Sequence, residues 1–529
     1  MQKFTFNRNI TGFFSDQQNR LAYDQESLLP FIQRVFSKEA FRKQVELKAV
    51  TYTDNQRSTL LNVINQKYSA QENSLKTQEN IKKLGDRSTF TVTTGHQLSL
   101  ATGPVFSIYK ILHTIRLAEE LSADNDAFQV VPVFWMASED HDIEEVRAVD
   151  VFNSRLIWET KEQGAVGRMS SDGLTEIKEQ ILQLFSNQNS SELSQILERW
   201  EGETYGEAFF RLIHNLFDSY GLIIVDGDNR QLKRQFADVV KQEILEMPSF
   251  MAVNKTNELL LKEGAKIQVN PREINLFYLD EGGRNRIVFE DNKYNLNSQK
   301  QVDKEELLIE IESYPERFSP NVILRPVYQE LVLPNLCYLG GVGEIAYWVQ
   351  LKSTFEAFNI PYPLITPRIS MLWIDAATSK KMAKIDMSIE DLFREVSTVK
   401  KDRLLQEAAH QLDFEKVDNY TMQLTTSISD QAKNLDLNAE KMVAAEIVKL
   451  NKQVDLIKDK MLRSMKQQHE NVLNQIDQVF TRLFPDGSLQ ERKLNIFSMC
   501  PTGAIHARIE QLHDAIDPFD MDFVVLKES

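Results

Sequence analysis

The sequence predicts an α/β protein, an open parallel sheet interrupted by insertions, followed by a long α-helical antiparallel coiled-coil arm. Three observations predict it. A strand–loop–helix–strand run fills about residues 89–136. Further short apolar strands downstream end in polar or glycine-bearing turns. Residues 392–483 then carry dense charge, almost no Gly or Pro, and a heptad seam.

The sheet is read from its strands. Thr89 to Thr93 is a β-branched and aromatic run, the composition of a short strand, and it stops at the loop Thr94-Gly95-His96-Gln97. After Ala101-Thr102-Gly103-Pro104, a helix is expected from Val105 to Leu121, with proline where helix starts tolerate it. Val130 to Met136 is a continuous apolar run of the kind found in buried parallel strands, and it ends in the acidic loop Ser138 to Asp142. Strand, helix, strand makes a βαβ unit, and open sheets of this class bind ligands at the carboxyl ends of their strands. Gly221 to Val225, Leu336 to Leu339 and Pro363 to Arg368 read as further strands, the last of them closing the core. Residues 1 to about 85 read as helical, with Leu28, Leu29, Ile32, Val35 and Phe36 placing a helix over Leu21–Phe36.

In the arm, Ile447, Leu450, Val454, Ile457 and Met461 step by three and four residues. The seam resumes at Val472, Ile476, Val479 and Leu483 after an interruption near Met465 and His469 that has the form of a stutter. Leu404, Ala408, Leu412 and Tyr420 mark an earlier helix to pair with it, and Asn434 to Asn438 mark the tip. The expected organisation is a core over 1–375, with a helical N-terminal region and insertions at about 151–218 and 229–330. An arm over 376–484 follows, then a segment over 485–529 that returns to the core.

Length and charge bound the function. A chain of 529 residues, 42% hydrophobic, is ample for a large core and too long for one ordinary domain. A formal net charge of −16 opposes bulk nucleic acid and anionic lipid while leaving room for a local basic pocket. Cys337 and Cys500 are the only cysteines, so neither a disulfide framework nor a Cys-x-x-Cys zinc site is expected. Without an apolar leader or an apolar stretch of 18 residues, the expected compartment is the cytosol.

Two polar segments carry the chemistry. Gly95, His96 and Gln97 between strand and helix can donate to anionic oxygens, Gly95 and Gly103 permit close backbone approach, and the following helix offers its N-terminus to a phosphate. Class I adenylate-forming enzymes use a histidine-containing loop at this topological place. Glu139, Asp140, His141 and Asp142, with Glu144 and Glu145 behind them, form the densest ionisable cluster and can share protons, orient an amine or hold a divalent cation through oxygen ligands. The spacing is not His-Glu-x-x-His, so no metal site is assigned. Gly341 and Gly343 suit a close backbone approach with Glu344 aimed into the cleft, and Lys110, Arg325 and Arg368 are nearby cations for a carboxylate or phosphate. The competing structural readings are a polar-capped turn, a solvated acidic loop and a tight glycine turn.

Taken in order, Thr94-Gly95-His96-Gln97, Thr102-Gly103-Pro104 with Tyr109-Lys110, Pro132 to Trp135 leading into Glu139-Asp140-His141-Asp142, Arg325-Pro326, Gly340 to Glu344 and Pro367-Arg368 resemble the bacillithiol biosynthesis cysteine-adding enzymes, the cysteine ligases. Pro485 to Arg492 with Asn495 resembles the family's sequence after its coiled coil. The resemblance implies a Rossmann-like core with connecting-peptide insertions and a coiled-coil arm used for homodimerisation. It implies amide formation between L-cysteine and the amino group of glucosaminyl-malate, with ATP as the expected activator of the cysteine carboxylate. The metal requirement stays open. Two alternatives also stay open: another adenylate-forming ligase or nucleotidyl transferase on the same core, and a non-catalytic coiled-coil scaffold.

Overall fold

The computed structural model describes residues 1–124, 127–185, 191–281, 283–408 and 413–529. They fall into two compact units. One comprises Lys3–Leu372 and Glu491–Val525; the other comprises Trp373–Gln490 with the terminal residues Met1–Gln2 and Leu526–Ser529.

The first unit is built on five strands: β1 (Thr89–His96), β2 (Gln129–Met136), β3 (Ile223–Asp226), β4 (Asn335–Gly340) and β5 (Leu364–Pro367). Their order in the sheet is β5-β4-β1-β2-β3, and every neighbouring pair is parallel. The strand order therefore reverses at β1, with β2 on one side and β4 on the other. In a doubly wound sheet this switch point, outside the carboxyl ends of the strands, is where the crevice forms.

Three of the four threonines in the buried central strand have their hydroxyls used. Thr91 and Thr93 donate to the Asn335 side-chain oxygen at 3.2 and 2.8 Å, and Thr94 donates to the Leu339 carbonyl at 2.7 Å. Their β-branched shape suits the pleat, and satisfied hydroxyls remove the cost of burial. Helix α1 (Phe106–Ala123) crosses from β1 to β2 and packs Leu117, Ala118 and Leu121 against Phe90, Val92, Val130, Leu336 and Leu364. Each fully buried leucine, valine or phenylalanine among them contributes roughly 1.5–3 kcal/mol.

Several boundaries depart from the sequence expectation. Gly95 and His96 complete β1 instead of forming a loop. A side chain at Gly95 would stand 3.2 Å from the Trp135 carbonyl, so the glycine lets the ladder run on to the pair His96 and Met136. The third strand starts at Ile223 because Gly221 takes a left-handed turn, φ 72°. The helix expected over Leu21–Phe36 is absent: a helix spans Asp16–Tyr23, a 3₁₀ turn spans Glu26–Leu28, and irregular chain follows. Pro30 is the physical reason, since it has no N–H and its ring opposes the carbonyl four residues earlier. The N-terminal helices lie further on, at Lys38–Thr51, Asp54–Tyr68 and Leu75–Lys83.

Between β2 and β3 lie a two-stranded hairpin (Ala148–Val151 and Ser154–Ile157) and helices that include Leu174–Leu184 and Tyr205–Phe217. Between β3 and β4 lie α2 (Arg230–Glu246), a helix over Pro248–Lys262, and a small antiparallel sheet of Phe318–Pro320, Leu276–Asp280 and Gly283–Arg286. After β4, helix α3 spans Val342–Trp348.

The second unit is helical over most of its length. Within it, α4 (Phe414–Lys433) and α5 (Leu437–Gln468) form an antiparallel hairpin with its turn at residues 434–436, and Asp418 near one start pairs with Lys458 far along the other helix. A helix over Val396–Ala408 precedes them; Leu412 lies outside the described residues. The long helix breaks at His469, where the stutter was expected, and α6 (Glu470–Leu483) follows. Ile447, Leu450 and Val454 are half-buried, Ile457 and Met461 are exposed, and Ile476, Val479 and Leu483 are buried. Among the described residues no helix is long and apolar enough to cross a membrane.

Candidate active site

A cavity of about 1130 Å³ opens at the switch point, over the carboxyl ends of β1, β2 and β4. Of the residues expected from the sequence, Gly95, His96, Gln97, Glu139, Asp140, Arg325, Gly341, Gly343, Glu344 and Arg368 line it. Gly103, Lys110, His141 and Asp142 do not.

The wall between β1 and β4 is centred on an ion pair between buried Lys110 and partly buried Glu344. Lys110, from the second turn of α1, donates to the Gly95 carbonyl and to Glu344 Oε2, both at 2.5 Å. Glu344 also accepts from the Gly341 amide at 2.7 Å and from the Tyr338 hydroxyl at 3.0 Å. Burial raises the carboxyl, but Lys110 and the Gly341 amide outweigh it and hold Glu344 down to about 2. Burial also lowers Lys110. Lys110 is thus spent on Glu344 from beneath the cavity floor instead of offering a cation to a ligand, which corrects the sequence reading. The pair fixes the Gly341–Gly343 turn. A side chain at Gly343 would meet nothing within 4 Å, so its backbone faces open space.

His96 ends β1 with its ring 5.2 Å from that of Phe106. Its Nε2 is buried without a hydrogen-bond partner. Burial first, then the charges of Lys110 and Arg368, pull its pKa down to about 3. The imidazole is neutral at physiological pH, so it serves as a hydrogen-bonding group and not as a fixed cation.

Positive charge comes instead from arginines, most of them missed in the sequence. Six line the cavity, Arg272, Arg284, Arg286, Arg325, Arg368 and Arg492, against four carboxylates, Glu139, Asp140, Glu273 and Glu344. Arg325 lies over the Tyr338 ring at 5.5 Å and donates to Gln329 at 3.1 Å, and it meets no carboxylate in a salt bridge among the described residues. In a chain of net charge −16, this is a local basic pocket. Nothing in the spacing of these arginines marks them, because three come from the insertion and one from the C-terminal tail.

The opposite wall divides the acidic cluster into separate roles. Glu139 is locked in a buried salt bridge with Lys233 of α2, which also donates to the Phe318 carbonyl at 2.6 Å. Burial pushes the Glu139 carboxyl up and Lys233 opposes it. The pair clamps the insertion to the end of β2, so Glu139 is committed to structure and the catalytic role read from the sequence is corrected. Asp140 faces the cavity. It accepts from Gln97 Nε2 at 2.6 Å and from the His141 amide at 2.8 Å, with Arg284 3.8 Å away. Burial raises Asp140, but these donors win and keep it a carboxylate below its ordinary range. Arg284 is itself held over the Phe277 ring at 4.1 Å and donates to the Pro320 carbonyl at 2.8 Å. His141 is half-exposed outside the cavity, its Nδ1 3.4 Å from Arg284, and Asp142 is exposed. The structure therefore brings Asp140, but neither His141 nor Asp142, to the cavity.

The start of α1 is also corrected. The Val105 amide donates to the Leu494 carbonyl at 2.7 Å and the Ser107 amide to the Pro104 carbonyl at 3.1 Å, so protein acceptors take two of the amides that the sequence reading left to a ligand. Ala101, Thr102 and Gly103 before it all have positive φ, at 49°, 72° and 67°. Left-handed backbone costs a non-glycine residue roughly 1–2 kcal/mol, which the surroundings must offset. Among the described residues no group of three or more His, Cys, Asp or Glu side chains could hold a metal ion.

Two family models cover nearly the whole chain. One, described as "Bacillithiol biosynthesis BshC, N-terminal Rossmann-like domain", matches residues 9–369, and the other, "Bacillithiol biosynthesis BshC, C-terminal coiled-coil domain", matches 371–528. The chain belongs to the BshC family. A Flavobacterium johnsoniae member named "Putative cysteine ligase BshC" is 37% identical over 527 residues, 98% of each chain. Members of the same name from Cytophaga hutchinsonii and Christiangramia forsetii are each 34% identical, over 87% of both chains and over 98% and 97% respectively. The BshC models assign the whole C-terminal stretch to the coiled-coil domain, whereas contacts group Glu491–Val525 with the sheet unit. For the site the contacts matter, because Arg492 lines the cavity.

Proposed function

We propose that this chain is a cysteine ligase of bacillithiol synthesis, joining the carboxyl of L-cysteine to the amino group of glucosaminyl-malate in the switch-point cavity. The observation that carries the reading is a cavity with opposed walls. One presents an ionised carboxylate, Asp140; the other presents neutral His96, the Gly341–Gly343 backbone and Arg325, which makes no salt bridge among the described residues. An amine and an anion can therefore be held at the same time, which is what acyl transfer to an amine requires. Full-length similarity to proteins named as cysteine ligases supports the substrate assignment.

Joining a free carboxylate to an amine is uphill; ATP, when bound, would supply the activation by adenylating the carboxylate with loss of pyrophosphate, so that AMP departs as the amide bond forms. The residues fit such a group: the unpartnered His96 Nε2, the open face of Gly343 and the Arg325 guanidinium are suited to phosphate oxygens. Asp140, fixed by Gln97, accepts from the incoming amine and orients its lone pair toward the acyl carbon. The arginines hold the negative charge that grows on the acyl oxygen or leaves with the phosphate. The competing reading of a scaffold has no use for either wall.

A second copy of the chain is the expected partner of the arm. Val417, Tyr420, Leu424 and Ile428 form an exposed apolar stripe at helical spacing on α4, and Leu456, Ile457 and Met461 do so on α5. Such a stripe supports pairing of two arms. The compartment consistent with this small-molecule chemistry is the cytosol.

The test is to incubate purified protein with L-cysteine, glucosaminyl-malate and ATP and to follow amide product and AMP by mass spectrometry. Both should rise in equal amounts. ATP turnover without amide would overturn the reading.

A further inference from the structure

The C-terminal tail supplies buried supports for two parts of the cavity that the ligase motifs do not explain. Asn495 is fully buried and uses its whole side chain. Its amide nitrogen donates to the Ala101 and Gly103 carbonyls, both at 2.6 Å, while its oxygen accepts from the Phe497 amide at 2.9 Å. The carbonyl between them, that of Thr102, accepts from the Ser107 hydroxyl at 2.6 Å. Three successive left-handed residues thus have all three carbonyls satisfied, two of them by one tail side chain. Immediately afterwards Phe106 lines the cavity, its ring 5.2 Å from that of His96 and 5.2 Å from the Arg368 guanidinium.

Arg368 is held from the same tail. Glu491 accepts from its Nη2 at 2.7 Å, from the Ser370 hydroxyl at 2.8 Å and from the Met371 amide at 3.0 Å, all buried. The Arg368 Nε is left buried without a partner, as is the His96 Nε2. A carboxylate that takes one guanidinium N–H on Oε1 and grips the neighbouring strand through both oxygens fixes the guanidinium more tightly than a mobile pair would.

We infer that Glu491 and Asn495 are positioning residues of the active site: Asn495 fixes the Ala101–Gly103 turn and thereby Phe106 and His96, and Glu491 aims Arg368. Because kcat/KM is one of its readouts, the inference rests on the proposed ligase reaction; a second readout is independent of it.

The variants are Asn495→Ala, Glu491→Ala and Glu491→Gln, with His506→Ala as a control. His506 binds Glu192 at 2.8 Å on the same tail and does not line the cavity. Hydrogen exchange over residues 98–106 should rise in Asn495→Ala and stay at the wild-type level in His506→Ala. Amide formation by Asn495→Ala should fall about 100-fold in kcat/KM, the cost of misplacing groups by about 1 Å. Glu491→Ala should raise KM more than it lowers kcat, and Glu491→Gln, which keeps an acceptor for Arg368, should recover most of that loss. Should Asn495→Ala not fold, Asn495→Ser, a smaller disruption, gives the same exchange readout. Wild-type exchange over 98–106 without Asn495, or activity losses that merely match those of His506→Ala at equal Tm, would overturn the inference. If the wild-type protein makes no amide, the ligase reading falls, and the exchange result alone still decides whether the tail holds this turn.

Discussion

The segments after β1 and β2 leave neighbouring parallel strands at the same edge of the sheet, yet they finish with different electrostatics. At the end of β1, burial and nearby cations strip His96 of its proton, so this edge offers a neutral ring. After β2, two adjacent carboxylates part company: Glu139 turns inward to Lys233, and Asp140 turns to the cavity and keeps its charge. The difference teaches that a dense ionisable cluster does not act as a unit. Which member does chemistry is decided by the partner that reaches it from another element.

The largest break in this comparison comes from removing the partner of Glu139. Lys233→Met should cost about 3–5 kcal/mol, because a buried carboxylate is left unpaired. The double variant Lys233→Met with Glu139→Leu should regain most of that loss, read by urea denaturation. Equal stability of the single variant and the wild type would return Glu139 to the list of candidate catalytic groups.

On the other wall, Arg325→Ala removes a charged donor and should weaken the anionic substrate by about 1.5–3 kcal/mol, seen as a KM increase with Tm nearly unchanged. The smallest effect concerns protons. His96 titrates near 3 in the fold against 6.5 when unperturbed, so between these values the unfolded chain binds a proton that the native chain does not. Its contribution therefore favours the fold above about pH 6.5 and is lost as pH falls toward 3. His96→Gln should reduce the slope of stability against pH in that window by at most about 1.4 kcal/mol per pH unit. Its pH–rate profile between 6 and 8 should keep the wild-type shape.

Much of this was legible in the residues. Strands β1, β2 and β4 announce themselves through β-branched or continuous apolar runs, and the arm through its heptads and its tip near Asn434. The reversal of strand order at β1, which places Gly95 beside Gly341, is a long-range fact that no local pattern encodes. The same holds within the site. Asp140 and His141 look alike on paper, but only tertiary packing of Gln97 and Arg284 turns one toward the cavity and leaves the other outside it. Lys110 reads as a free cation until Glu344, far away in sequence, reaches it. Arg272, Arg284 and Arg286 sit in an insertion with no motif, and Leu494 caps α1 from the far end of the chain. Local pattern shows where the strands stop; it does not show what arrives there.

The direct test of the division of labour is the rate of amide formation by Asp140→Asn and His141→Ala, measured side by side on proteins with wild-type circular dichroism. Asp140→Asn should lose about 100-fold or more in kcat/KM, as expected for a group that handles the reacting amine. His141→Ala should stay close to the wild type. Comparable losses in both, or in neither, would contradict the assignment of the amine to Asp140.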